Sequence, residues 1–251
     1  MANLRLLSVG GIILTVGAAG VAGERSQHWS YDGIGGPSHW ATLDAQYTAC
    51  AAKRQSPIEI IARDARTTAL PALAFHYRPA PLRIVDNGHT VQVNYETGSW
   101  LTVGDTRYEL IQFHFHRPSE EVIDGRRFAM VAHLVHRDAQ GHLAVVAVPL
   151  SPGADDSSLK TLWENLREVK GEEATRTDVM INAASLLPAS LGYYAYSGSL
   201  TMPPCSEGVR WMVLKTSSRV SQREVDVFAA RYPNNARPLQ PRNGREVLSS
   251  D

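Results

Sequence analysis

QFHFHRP, residues Gln112 to Pro118, sets two histidines and two phenylalanines in strict alternation and ends on a proline. Successive side chains of a strand point to opposite faces. His114 and His116 therefore share one face, and Phe113 and Phe115 share the other. Taken alone, the segment fits a half-buried strand with two solvated imidazoles as well as it fits a pair of ligands.

The next segment separates these readings. Asp124-Gly125 is a two-residue hairpin signal between QFHFH and FAMVAHLVH, residues 128–136. A turn centred there sets His116 opposite His133 and His114 opposite Val135. Directly opposite residues share a face, so His114, His116 and His133 converge on one patch of sheet. A register slip of two residues preserves the convergence, whereas a slip of one destroys it. His136 falls on the other face and reads as a satisfied structural histidine. Three neutral imidazoles on a rigid sheet suit a catalytic zinc, because three protein ligands leave the fourth tetrahedral position for water. Water bound there ionises near neutral pH and becomes a strong nucleophile.

The rest of the composition narrows the class. Lys plus Arg number 25 and Asp plus Glu number 25 in 251 residues. No basic arm or face suggests nucleic acid or an anionic membrane. No repeat or linker divides the chain, so one domain is expected. At the N-terminus, Arg5 precedes an uncharged run from Leu6 to Gly23, with small residues near Ala18, Gly20 and Gly23. That is a signal-peptide layout over residues 1–23, with cleavage near 20–23. The alternative is an uncleaved anchor, which the five glycines of the run weaken. Cys50 and Cys205 are the only cysteines. They would join in an oxidising compartment and stay as buried thiols in a reducing one.

Strand candidates are LRIVD, TVQVNY, WLTVG, YELIQFHFH, FAMVAHLVH, LAVVAVPL and VRWMVLK. LAVVAV is apolar without alternation, as expected of a central strand covered on both faces. Helices are few: DDSSLKTLWENLREV carries one apolar stripe, and Ser221 with Glu224 forms a capping-box pattern ahead of VDVFAARY. The chain reads as a β-dominated α+β single domain.

With these segments in place, the sequence resembles the α-class carbonic anhydrases from about His28 to Arg245. The resemblance is carried by HWSY, GPSHW, QSPIEI, DNGHTVQV, QFHFHRPSEE, AHLVH, LAVVAV, SLTMPP and VRWMV. It implies a large, twisted, mainly antiparallel central sheet with short peripheral helices, filling residues 24–251. It implies Zn2+ on His114, His116 and His133, and reversible hydration of carbon dioxide to bicarbonate and a proton by a zinc-bound hydroxide. Glu120 and Thr201 match the pair that orients the hydroxide, His89 the proton shuttle, and Gln112 a partner of the first ligand. Val135, Val145, Leu200, Met202, Val209 and Trp211 match the substrate pocket. Read without the resemblance, Glu120 is a solvated charge in a turn, Thr201 a loop residue and His89 a turn histidine.

A Cys50–Cys205 bridge would tie down the loop that carries Thr201. The partner is a small molecule, with no nucleic acid and no membrane after cleavage; a homodimer is compatible with this reading. Export to the periplasm or the medium follows from the leader.

Three positions depart from the family pattern. Val131 stands where the family usually has a glutamate that hydrogen-bonds the third ligand, a loss that costs about 10–100-fold in metal affinity or activity unless another residue or a water substitutes. Met202 replaces a common threonine, and Glu121 a frequent histidine. The alternative function is a non-catalytic carbonic-anhydrase-like or zinc-binding exported protein, which turnover would distinguish.

Overall fold

All seven segments read as strands are strands in the structure, a computed structural model that describes residues 28–153, 159–166 and 171–251. In chain order, after the outlying strand Leu73–His76, the strands of four or more residues are β1 (Ala80–Asp86), β2 (Val91–Asn94), β3 (Trp100–Val103), β4 (Thr106–His116), β5 (Met130–Arg137), β6 (Leu143–Pro152), β7 (Glu173–Ile181), β8 (Tyr193–Ser199) and β9 (Glu207–Leu214). β7 and β8 escaped the sequence reading. β7 is a mostly exposed edge strand without apolar alternation. β8 is a buried run of tyrosines ending in Ser-Gly-Ser, which reads as a loop. The leader 1–23 lies outside the described residues, as do parts of the segment 155–169, of which Lys160–Glu164 is a helix.

The main sheet runs β7-β1-β2-β4-β5-β6-β9-β8, continued by the short strands Leu248–Ser249 and Arg66–Thr67. β3 pairs with the first half of β4, and β2 with the second half. Most pairs are antiparallel. β6 with β9, β6 with Ser218–Val220, and Leu248–Ser249 with Arg66–Thr67 are parallel, so the sheet is mixed. β6 is buried along nearly its whole length, as its unbroken apolar run requires. The helix Gln222–Arg231 begins with the expected capping box: the Ser221 hydroxyl accepts from the Glu224 amide, and the Glu224 carboxylate accepts from the Ser221 amide. Its buried face carries Val225 and Phe228, and Phe228 packs against Phe115.

The alternation in QFHFH separates two cores. Phe113 and Phe115 enter the larger one with Leu134, Val146 and Met212. His114, His116 and His133 face the side of the smaller one, formed by Val131, Val135, Val145, Ala147 and Trp211 among others. The β4–β5 register differs from the expected one by two residues: His133 pairs with His114, and Val131 with His116. The turn is where the sequence puts it. Asp124 and Gly125, at φ 49° and 74°, join Val122–Ile123 to Arg126–Arg127 in a separate small sheet. Arg117 to Glu121 leaves the ladder in between, and the long strands resume two residues out of step. Parity survives, so the three rings still share a face.

His136 is the structural histidine its position suggested. It is fully buried; the Tyr77 hydroxyl donates to its Nε2 at 2.6 Å, and its Nδ1–H donates to the Ala144 carbonyl at 3.3 Å. Burial depresses its pKa to about 4, against weaker opposition from the Ala144 and Leu134 backbone. The unfolded chain, whose histidines titrate near 6.5, therefore binds a proton that the folded chain refuses. Stability contributed by the neutral ring is complete above pH ~6.5 and is lost as pH falls toward 4, by roughly 3 kcal/mol in all. Urea unfolding of wild type and His136→Gln between pH 7.5 and 4.5 should show the variant's stability falling less steeply. Parallel pH dependences would refute the assignment.

Candidate metal centre

The centre is built from adjacent strands. β4 contributes His114 and His116, β5 contributes His133, and one potential ligand nitrogen from each lies within 4.8 Å of the others. All three rings are buried. In each ring one nitrogen faces an acceptor. His114 Nδ1 donates to Gln112 Oε1 at 2.9 Å, His116 Nδ1 to the Asn235 carbonyl at 2.7 Å, and His133 Nε2 to Glu121 Oε1 at 2.9 Å. Those bonds fix the tautomers, leaving Nε2 of His114, Nε2 of His116 and Nδ1 of His133 with bare lone pairs. The two Nε2 atoms are buried and have no hydrogen-bond partner among the described residues. Such orphans are costly, and a metal ion would satisfy both. The donor set therefore fits a cation that prefers imidazole.

Electrostatics separates the ligands. Burial holds the His114 and His116 pKa values well below the ordinary range, reinforced by His133. Burial presses on His133 too, but Glu121, through charge and hydrogen bond, and then Glu120 outweigh it and raise its pKa.

Glu120 and Glu121 are both essentially inaccessible to solvent, correcting the reading of Glu120 as a solvated charge. The Arg237 amide donates to Glu120 Oε1 at 2.7 Å. Glu120 Oε2 is buried without a hydrogen bond of normal geometry, yet the Thr201 hydroxyl lies near enough to lower the carboxyl's pKa. Burial dominates and pushes that carboxyl up to about 7; Glu121 adds to the rise, while His133, the Arg237 amide and Thr201 oppose it.

Beside the triad lies a cavity of about 160 Å³ lined by Gln112, His114, His133, Val135, Val145, Leu200, Thr201, Met202, Pro203 and Trp211. Five of the six expected pocket residues are thus brought together. Val209 is not one of its walls and is buried in the smaller core. His89 does not line this cavity either: its ring stacks on Trp29 at 3.5 Å between centroids, with His28 at 4.9 Å. Cys50 and Cys205 form a disulfide, and Cys205 N–H donates to the Met202 carbonyl, four residues past Thr201 at the bridge. Met202 packs against the cluster formed by Trp29, Trp40 and the two cysteines.

A substitute for the carboxylate missing at position 131 is present. Val131 is indeed apolar and buried, but Glu121 supplies the bond from the segment Arg117–Glu121. Sequence reading also missed Asn235. Its carbonyl accepts from His116, its Oδ1 from the Arg117 amide, and its Nδ2 donates to the Phe115 and His89 carbonyls. Nothing in the local sequence marks it, because it lies in a loop more than a hundred residues from its partners.

Three comparisons bear on this geometry. The model of the eukaryotic-type carbonic anhydrase family matches residues 35–251. A carbonic anhydrase of Pectobacterium carotovorum is 42% identical over 226 residues, covering 89% of this chain and 91% of that protein. One of Nostoc is 39% identical over 233 residues, covering 91% and 88%. The structure of an α-carbonic anhydrase from Thermovibrio ammonificans, in complex with the inhibitor sulfanilamide, superimposes with a TM-score of 0.85 at 38% identity, covering 88% of this chain and 98% of that one. A match across most of the length and a buried histidine triad with bare nitrogens lead to one conclusion: the chain belongs to the eukaryotic-type, or α-class, carbonic anhydrase family.

Proposed function

We propose that His114, His116 and His133 hold zinc, and that this site carries the protein's activity, the reversible hydration of carbon dioxide to bicarbonate and a proton. The observation that carries the zinc reading is the pair of buried, unpartnered Nε2 atoms beside a third ring held in the complementary tautomer. Zinc, when bound, supplies a Lewis acid that allows water to ionise near neutral pH.

The chain's own residues do the rest. The Thr201 hydroxyl, beside Glu120, is placed to turn its proton to that carboxylate, whose Oε1 is anchored by the Arg237 amide. A threonine that donates to a carboxylate can only accept from the nucleophile, which fixes the direction of the reacting lone pair. Val135, Val145, Leu200 and Trp211 offer an apolar wall to a small linear molecule. His89 relays the proton released in each cycle outward, since an imidazole can take up a proton on one ring nitrogen and release one from the other. The leader 1–23 directs export, and residues 24–251 form the mature domain. Among the described residues, no helix is long and apolar enough to cross a membrane.

The disulfide belongs to this reading. It closes a separation of 155 residues, worth roughly 5 kcal/mol in the chain-entropy model, and it anchors the loop after Thr201. Reduction should therefore lower turnover at reductant concentrations that leave the fluorescence of the folded protein intact. Loss of activity and fold in parallel would remove the tethering role.

The function itself is tested by stopped-flow carbon dioxide hydration with the mature, disulfide-intact protein as purified, after chelation, and after zinc is restored. Turnover should vanish with chelation and return with zinc. One equivalent of bound zinc without hydration would instead favour a binding protein.

A further inference from the structure

We propose that Glu121 is the positioning carboxylate of the third metal ligand, transferred from the strand position now filled by Val131, and that it sets how firmly the centre retains its metal. The inference rests on the zinc reading above.

The three ligand rings are not supported alike. His114 and His116 lean on neutral acceptors, a side-chain amide and a backbone carbonyl. Of the three, His133 is the one whose hydrogen bond goes to a carboxylate; Glu120 Oε1 stands 3.5 Å from His116 Nδ1, but that nitrogen is committed to the Asn235 carbonyl. Charge-assisted bonds are shorter and roughly twice as strong as neutral ones, so this partner holds its ring most firmly. It also makes the ring the strongest donor of the three through Nδ1. Glu121 is itself fixed. It is 1% exposed, and the Ser119 hydroxyl lies 3.4 Å from its Oε2 and donates to its carbonyl at 3.0 Å. A carboxylate buried this deeply is costly unless it is bonded, and its short contact in the structure is with His133.

Position 131 is a second place from which a side chain could support this ring. It lies two residues before His133 on the same face of β5, the relation through which Gln112 reaches His114 on β4. Val131 is fully buried in the smaller core and offers no acceptor. The carboxylate missing from the strand is thus present on the segment that leaves it.

The transfer predicts a specific rescue. In the full mature protein, Glu121→Gln keeps the volume and removes the charge, and Glu121→Ala removes the acceptor. Zinc retention is read by competition with dipicolinate and by the time course of zinc loss, alongside the visible spectrum of the cobalt-substituted protein. Both variants should release zinc about 10–100-fold faster than wild type, Glu121→Ala the more so. Adding Val131→Glu to Glu121→Ala should recover at least a tenfold part of that loss and return the cobalt spectrum toward wild type, which no general change in stability would do. Unchanged zinc release in Glu121→Gln and Glu121→Ala overturns the inference while leaving the zinc site standing. So does a double variant no better than Glu121→Ala. If Glu121→Ala fails to fold, Glu121→Gln with and without Val131→Glu decides on the same terms. A wild-type protein that binds no zinc at all would defeat the zinc reading, and this inference with it.

Discussion

Alanine in place of His116 is expected to remove carbon dioxide hydration almost entirely, by at least about three orders of magnitude, together with stoichiometric zinc. The side chain is fully buried, its Nδ1 is committed to the Asn235 carbonyl, and its Nε2 has no partner among the described residues. Its removal leaves two ligands on a site made for three, and the Lewis-acid contribution that underlies the reaction goes with the metal. Because Asn235 also holds Arg117, Phe115 and His89, the surrounding loop keeps most of its bonds, and the variant should still fold. Stopped-flow hydration paired with atomic absorption and thermal melting checks all three points. A folded variant with more than about 1% of wild-type turnover would rule out His116 as a ligand.

Glu120→Gln should have the second largest effect, a fall of about 100-fold in kcat/KM, the scale associated with misdirected reacting groups, with zinc retained. Glu120 Oε1 accepts from the Arg237 amide, so a glutamine there must keep its oxygen on that side. Its amide nitrogen then faces Thr201, and a donor replaces the acceptor that the threonine proton requires. The hydroxyl has to reverse and can no longer present its lone pair to the nucleophile. Thr201→Ala should cost a similar factor. The double variant should cost little more than either single one, since residues acting as a unit are not additive. Steady-state hydration with zinc analysis tests this. Full additivity, or loss of zinc in Glu120→Gln, would show that the two residues act separately or that Glu120 serves the metal rather than the hydroxyl.

The period of two in QFHFH already separates the chemistry from the core. It sends Phe113 and Phe115 to one face and His114 and His116 to the other, whatever they pair with. Hairpin parity adds His133 for the same reason, since a slip of two residues leaves parity unchanged. The unbroken apolar run of β6 and the Ser221–Glu224 cap were legible because their signals are local in sequence.

What the tertiary structure alone decided has the opposite character. The register of β4 on β5 depends on how Arg117 to Glu121 leaves the ladder, and no periodicity describes that path. Glu120 looks like a solvated charge because burial in a turn is set by what folds over it, here the Arg237 segment more than a hundred residues away. The same distance hides Asn235, whose contribution to His116 is a backbone carbonyl that any residue carries. The strand pattern thus determined which side chains could meet. The partners that orient them, Glu121 above all, became visible only when distant loops closed over the sheet.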